Sequence, residues 1–165
     1  MIDLKVKHMT VFGKTPSYGH GDIENAGIDI FSSENRIIWP KCKAVMHTDI
    51  SAEPSINPDY PHHTPAWFKT FLKNNFKPAL FIKSRSGLSV KHSIEHGAGV
   101  VDSGYRGELR IILHNHGWLP KRIKMGDRVA QIVPQLIPNC SVEKTSFLRE
   151  SVRGDKGFGS SDKKK

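Results

Sequence analysis

Short apolar runs and alternating apolar and polar positions extend along most of the chain. The first residues, MIDLKV, alternate as a half-exposed β-strand does. Similar brief runs, rich in β-branched residues and bounded by Gly, Pro, Asn or Ser, predict further strands. The predicted strands lie at about 4–11, 27–31, 36–39, 43–50, 79–83, 99–101, 108–114, 121–124 and 128–133. Many short strands in succession indicate an antiparallel sandwich or barrel, so the predicted fold class is all-β.

One segment has a helical period instead. The pair Thr64-Pro65 is typical of a helix start, with an N-cap followed by proline at the first helical position. The apolar side chains that recur at helical spacing after it are Trp67, Phe68, Phe71, Leu72 and Phe76. We predict a short helix near residues 65–76, preceded by an extended, proline-rich loop over 52–61. Its apolar face fits two interpretations, a cover for an open sheet edge or a docking surface for a partner.

Composition narrows the class of protein. A chain of 165 residues with 37% hydrophobic residues suits one folded domain and not a disordered tail. No apolar run approaches the ~18 residues that a membrane span needs. The two cysteines, Cys42 and Cys140, form no CxxC pair, so neither a disulfide scaffold nor a zinc site is indicated. We expect a cytoplasmic protein (host cytoplasm if viral) without a membrane partner, with one domain at 1–150 and a flexible tail at 151–165.

The net charge of +9 suits a nucleic acid, an anionic surface or a nucleotide as the ligand, and so points toward phosphate. A nucleic-acid-binding barrel would carry aromatic residues interleaved with Lys and Arg along its strands. Here the aromatic residues concentrate in the 65–76 segment and near the C-terminus, so stable nucleic-acid binding is not expected. The pairs His62-His63 and His114/His116 lack a third ligand at recognisable spacing and predict no metal site.

Two stretches carry the clearest chemistry. The glycine-rich residues 153–161 would let backbone approach an anion, with Arg153 to hold phosphate and Phe158 to stack on a base. The stretch 99–107, GVVDSGYRG, places Asp102 at a strand end beside a turn, where it could act as a general base or cap the turn. Weaker signals lie at 26–30, 85–88 and 126–131.

In this order and spacing, the motifs resemble those of the trimeric dUTPase family. The five matching stretches are 26–32, 85–91, 99–109, 126–132 and 153–161. The resemblance implies a β-clip or jelly-roll-like barrel that forms a homotrimer with shared active sites. It also implies Mg²⁺-dependent hydrolysis of dUTP to dUMP and pyrophosphate, by attack of water on the α-phosphorus.

The resemblance also assigns roles to residues. Asp102 would be the catalytic base, and Tyr105 would pack against the deoxyribose. Asp29 and Gln131 would hold waters around a substrate-bound Mg²⁺. The residues implied to bind substrate are Arg85, Ser86, Gly87, Gly99, Val100, Val101, Tyr105, Gln131, Arg153, Phe158, Gly159, Ser160 and Ser161.

The chain departs from the family pattern in three places. Lys156 stands where glycine is common, and Gly104 stands where an acid is often found. The separation of Asp29 from Arg85 is longer than usual, which implies an insertion at about 52–75 that we expect to lie at the periphery.

Two alternative functions stay open. The first is a dCTP deaminase-type relative, which would need a glutamate at the position held here by Ile112 and would lack the glycine-rich tail. The second is a dUTPase-like regulatory or partner-binding protein that uses the insertion.

Overall fold

Short strands make up most of the computed structural model, which describes residues 1–19, 24–57, 64–152 and 154–155. The strands are β1 (Ile2–His8), β2 (Ser17–Tyr18), β3 (Ile28–Phe31), β4 (Arg36–Ile38), β5 (Lys43–Met46), β6 (Ile50–Ile56), β7 (Phe76–Lys83), β8 (Ile94–Gly97), β9 (Val100–Val101), β10 (Ile111–Asn115), β11 (Lys121–Ile123) and β12 (Arg128–Pro138). Two helices interrupt them, α1 (Ala66–Asn75) and α2 (Ser86–His92). The all-β class predicted from the sequence is confirmed.

The strands form four open sheets. The largest has the order β2-β3-β12-β7-β9, and a second has the order β5-β10-β8. Two-stranded sheets pair β1 with β6 and β4 with β11. Every pairing is antiparallel, and within the described residues no sheet closes into a barrel.

One apolar core joins all four sheets. Each sheet turns one face inward, because successive side chains of a strand alternate between its two faces. The buried core side chains include Ile30, Ile38, Met46, Ile50, Leu80, Ile82, Ile94, Ile111, Leu113, Ile123 and Ile132. Branched aliphatic residues dominate this list, as expected where pleated surfaces pack against one another.

Strand β12 is the central element for the candidate site, because it pairs with β3 on one side and β7 on the other. Gln131 stands opposite Asp29 of β3 and opposite Lys83 of β7. The register shifts between Arg128 and Ala130, so that Arg128 stands opposite Phe31. Asp29 and Phe31 are two residues apart and share a face of β3. The irregularity therefore brings Arg128 to the face that carries Asp29 and Gln131.

Two expectations about individual elements are wrong, and three elements were not predicted. Residues 52–56 are not a loop but belong to β6, where Pro54 stands opposite Leu4 of β1. Proline is tolerated there because the two-stranded sheet leaves the other edge of β6 unpaired. The predicted strand 43–50 is two strands, since Asp49 adopts a left-handed φ of 52° between them. The elements that were not predicted are helix α2 and the strands β2 and β8.

The helix predicted near 65–76 is present as α1. Pro65 takes the N-cap position that was expected of Thr64, and no side chain caps the helix. None of its residues is buried, and Trp67 is 71% exposed. The helix therefore does not bury an apolar face against a sheet edge within the described part of the chain.

Candidate functional site

The segment 99–107, called the hairpin below, contains β9 and the turn after it and borders a cavity of about 440 Å³. This volume lies within the range of small-molecule sites. Its lining includes Val100, Val101, Asp102 and Tyr105, which are four of the residues predicted to contact substrate or water. Within the described residues β9 pairs with β7 and not with a following strand. The Ile82 amide donates to the carbonyl of Gly99 at 2.7 Å. The cavity is therefore built on the edge of the five-stranded sheet.

Local hydrogen bonds hold the turn at 102–105. The Tyr105 amide donates to the Asp102 carbonyl at 3.0 Å, and the Tyr105 hydroxyl donates to the Glu108 carbonyl at 3.0 Å. The Arg106 guanidinium donates to the Ser103 carbonyl at 2.6 Å and to Glu53 at 3.0 Å. A Cβ at Gly107 would collide with the Tyr105 ring. The aromatic ring is thus fixed beside the cavity.

Asp102 and Glu108 are the carboxylates in the cavity lining, and only Asp102 is free. The Asp102 carboxylate is exposed and has no hydrogen-bond partner among the described residues. Glu108 Oε1 accepts the amides of Thr48 and Asp49, at 3.0 and 3.1 Å. His47 Nδ1 lies 2.9 Å from Glu108 Oε2. Glu108 therefore anchors the turn between β5 and β6.

His47, Asp49 and Glu108 could in principle surround a cation, because their ligand atoms lie within 4.8 Å of one another. The bonds described above already occupy the Glu108 carboxylate, and Asp49 Oδ2 accepts the Thr10 hydroxyl at 2.6 Å. A cation would have to displace these donors. The cluster is explained as a structural anchor without a metal.

A second group of predicted residues meets around Asp29, which is 1% exposed. Its carboxylate oxygens pair with Arg85 Nε at 3.1 Å and Arg128 Nε at 3.2 Å. Gln131 Nε2 also donates to Asp29 Oδ1, at 3.3 Å. Two cations thus compensate one buried carboxylate, which fixes both guanidinium groups.

Arg85 and Arg128 also line a second cavity of about 380 Å³, together with Lys121 and Asp127. Three cations and one carboxylate make this lining positive. Ser86 and Gly87, the first residues of α2, are exposed beside it in sequence, and nothing lies within 4 Å of a Cβ built at Gly87. This side of the chain can receive an anion such as a phosphate group.

The residues predicted for one site therefore fall into two groups on a single chain. Asp102 and Tyr105 line the first cavity, whereas Arg85 lines the second. The predicted residues Arg153, Phe158, Gly159, Ser160 and Ser161 lie outside the described residues, as does Lys156.

The residues assigned to Mg²⁺ fit a hydrated ion better than a directly bound one. Both Asp29 oxygens are held by guanidinium groups, so direct coordination would displace an arginine. The Gln131 amide donates its N–H to Asp29, which leaves its carbonyl oxygen as an acceptor. That oxygen could accept from the water shell that Mg²⁺ usually keeps.

Sequence reasoning missed several residues of these groups. Arg128 lies within the fourth motif, but only the bulge in β12 reveals that it faces Asp29. A hydrogen-bonded cluster of Ser84, Glu95 and His96 connects the segment just before Arg85 with the segment just before β9. Hydrogen bonds from Ser84 and Ser89 lower the pKa of Glu95, with smaller contributions from His116 and His96, against an opposing effect of burial. No sequence spacing identifies this cluster.

Fold and site together define a class: an all-β protein with a ligand-sized cavity, a free carboxylate at a hairpin turn and a separate cationic surface. Comparisons with known proteins identify the family. A family model described as dUTPase matches residues 71–162. The deoxyuridine 5'-triphosphate nucleotidohydrolase of Clostridium tetani is 36% identical over 162 residues, which cover 97% of each chain. The chain therefore belongs to the dUTPase family.

Solved structures agree with this assignment. The dUTPase of Staphylococcus bacteriophage 80alpha with dUPNHPP has a TM-score of 0.75 and 26% identity, covering 96% of this chain and 97% of that chain. A mutant dUTPase from phage phi11 of S. aureus, described with a structural Mg(II) ion, has a TM-score of 0.69. It is 23% identical and covers 90% of this chain and 99% of that chain, so it supports the fold alone.

The comparisons confirm the predicted enzyme class, a dUTP-hydrolysing nucleotidohydrolase. Among the described residues, neither helix has the length and apolarity to cross a membrane.

Proposed function

We propose that this protein hydrolyses dUTP to dUMP and pyrophosphate, with Asp102 as the general base. The observation that carries the proposal is the free Asp102 carboxylate in a cavity whose other acid, Glu108, is already bound. Asp102 takes a proton from a water molecule as the water oxygen bonds to the α-phosphorus. The bond from that phosphorus to the bridging oxygen breaks, and pyrophosphate leaves.

The hairpin accounts for the choice of base and sugar. The backbone amide and carbonyl groups of residues 99–101 that do not pair with β7 would face the polar edge of uracil, since the Gly99 carbonyl already accepts the Ile82 amide. A close fit excludes the methyl group of thymine by collision and cytosine by mismatched donors. The fixed Tyr105 ring packs against the deoxyribose, where a 2'-hydroxyl would not fit.

The cationic side accounts for the phosphates. Arg85, held by Asp29, binds the phosphate chain with the exposed Ser86 and Gly87 at the start of α2. A Mg²⁺ ion on the substrate phosphates would neutralise negative charge, and Gln131 would hold its hydration water. We propose that the tail also binds the nucleotide: Arg153 holds the γ-phosphate and Phe158 lies over the uracil. The remaining tail residues, Gly159, Ser160 and Ser161, contact the phosphates.

The separation of the two groups supports a homotrimer with shared active sites. One chain supplies the Asp102 hairpin and another supplies the Arg85 surface. Residues 139–152 have no helix or strand and are exposed throughout, including the apolar Phe147, which is 73% exposed. Such a segment suits packing on a neighbouring chain, from which the tail beyond residue 152 can reach its site.

The deaminase alternative is disfavoured by one position in the cavity. Ile112, which aligns with the deaminase glutamate, lines the cavity and cannot transfer a proton. A second role in partner binding is favoured by the exposed aromatic residues of α1, and it is compatible with catalysis. The cytoplasmic location and the absence of stable nucleic-acid binding stay predictions.

Pyrophosphate release from dUTP, dCTP, dTTP and UTP tests the proposal, with Mg²⁺ and with an Asp102→Asn variant. We expect selective turnover of dUTP and a loss of at least about a hundredfold in kcat in the variant, since general base catalysis contributes about that much. Ammonia release from dCTP would favour the deaminase. Equal turnover of UTP would contradict the role of Tyr105.

A further inference from the structure

The cluster of Ser84, Glu95 and His96 has a determined pattern of proton donors. The Ser84 hydroxyl donates to Glu95 Oε2 at 2.7 Å and accepts the backbone amide of His96 at 3.0 Å. The Ser84 oxygen also lies 2.8 Å from His96 Nδ1. Since the single hydroxyl proton points to Glu95, Nδ1 must carry a proton and donate it to Ser84. The imidazole ring is therefore fixed in orientation.

This cluster joins two segments that the proposed reaction uses. Ser84 directly precedes Arg85, which holds the phosphate chain in the proposed function. The opposite edge of the His96 ring faces Gly99, where a Cβ would stand 3.3 Å from Nε2. Gly99 begins the hairpin that carries Asp102, and its carbonyl accepts the Ile82 amide. The ring thus lies against the backbone at the start of the hairpin.

The backbone between His96 and Gly99 needs such support. Ala98 has a φ of 50°, in the left-handed region that is unfavourable for an L-residue with a Cβ. Gly97 lies against His114, whose Nε2 would collide with a Cβ there. Backbone of this kind persists only where its surroundings fix it. Strand β9, with only two residues, contributes little rigidity.

We propose that His96 is a positioning residue for the hairpin that carries Asp102. The ring holds residues 97–99 in their conformation and so fixes where the uracil-reading backbone and the Asp102 carboxylate lie. His96 acts through the backbone and does not touch the substrate. The inference rests on the proposed function, whose hairpin it stabilises.

Three variants test the proposal: His96→Ala, His96→Asn and His96→Gln. Asparagine places an N–H donor near the Nδ1 position, whereas glutamine places its amide further out. We expect His96→Ala and His96→Gln to lower kcat for dUTP about tenfold, because small displacements of reacting groups slow a reaction strongly. Both variants should also lower the ratio of kcat/KM for dUTP to kcat/KM for dTTP. His96→Asn keeps an N–H donor for Ser84 but lacks the ring edge that faces Gly99, so it should recover only part of the kcat and of the preference for dUTP. If His96→Ala does not fold, the Asn and Gln pair still decides the question.

His92→Ala is the matched control, because this exposed histidine ends α2 and lies outside the cluster. It should leave kcat and the base preference unchanged. A second readout is independent of turnover: amide hydrogen exchange at Ile82, which we expect to be about tenfold faster in His96→Ala. Unchanged exchange, kcat and base preference in His96→Ala would overturn the inference and leave the proposed function intact. A wild-type protein that does not hydrolyse dUTP would overturn the proposed function, and the exchange rates would then still test the hairpin's support.

Discussion

The group of residues around Asp29 depends on the absence of a side chain at Gly27. A Cβ at this position would stand 2.9 Å from both Cδ and Oε1 of Gln131. Gln131 is held against Asp29 by its amide and cannot move away without losing that bond. The backbone just before β3 can therefore approach the Gln131 side chain of β12 this closely only because residue 27 is glycine.

We expect Gly27→Ala to destabilise the protein by about 1–3 kcal/mol, as forced overpacking does. Gly87→Ala is the matched control, since nothing lies within 4 Å of its Cβ and alanine favours helix α2. That control should unfold at the wild-type temperature or slightly above it. Thermal unfolding of both variants measures the difference, and equal melting temperatures would contradict the packing argument.

Glu95 gives a prediction about acid stability. Its pKa lies below the usual value of 4.5, chiefly because the Ser84 hydroxyl donates to the carboxylate. A lowered folded-state pKa means that Glu95 contributes stability above pH ~4.5, and that this contribution is lost as the pH falls through the lower folded-state value. We expect the Tm difference between wild type and Glu95→Gln to be largest near neutral pH and to shrink below pH ~4.5. A difference that stays constant from pH 7 to pH 3 would contradict the assignment.

At the scale of elements, α1 is attached to the fold through its C-terminal end. Asn139 donates from its backbone to the Asn75 carbonyl at 2.7 Å and from its side chain to the Asn74 carbonyl at 2.8 Å. The helix residues themselves are not buried. The element is anchored by these hydrogen bonds and by the contact of the Phe71 ring with Phe76 of β7, while Trp67 is largely exposed to solvent.

We therefore expect the double variant Trp67→Ala/Phe71→Ala to lower the free energy of unfolding by no more than about 1.5 kcal/mol, since these rings contact Phe68 and Phe76 but are not buried. Leu80→Ala, at a fully buried position of β7, should cost about 2–5 kcal/mol. Urea unfolding of the two proteins makes the comparison. A large loss in the α1 variant would show that these rings pack against part of the protein.

The limits of sequence reading follow from the same elements. Alternation identified most strands, because each turns one face to the core. Most of strand β6 was not predicted, because Glu53 and Pro54 are residues typical of a loop. Only the pairing with β1 shows that they belong to a strand. Helix α2 is seven residues long and begins Ser-Gly, so its local propensity is weak. Motif order predicted Asp102 with Tyr105 and Asp29 with Gln131, whereas Arg128 and His96 depend on a bulge and on contacts that no spacing encodes.

At the scale of the whole molecule, the predicted site residues are divided between two cavities of one chain. Mixing subunits of two variants therefore tests whether active sites are shared between chains. Asp102→Asn and Arg85→Ala should each be inactive as a homotrimer. Subunits of the two variants, unfolded and refolded together, should regain part of the wild-type turnover, since some sites then combine an intact Asp102 with an intact Arg85. Pyrophosphate release from dUTP measures the recovery. No recovery in trimers shown to contain both variants, by capture through an affinity tag carried by one variant only, would contradict shared sites.

The exposed segment 139–152 has a consequence for how the protein tolerates dilution. A chain that leaves the proposed trimer returns Val142, Phe147, Leu148 and Val152 to water, since all four are exposed in the single chain. Mass action then makes the resistance to heat depend on protein concentration, as it does whenever assembly stabilises the folded state. At low protein concentration a larger share of the chains would therefore be dissociated, and those chains would expose the apolar side chains that promote aggregation.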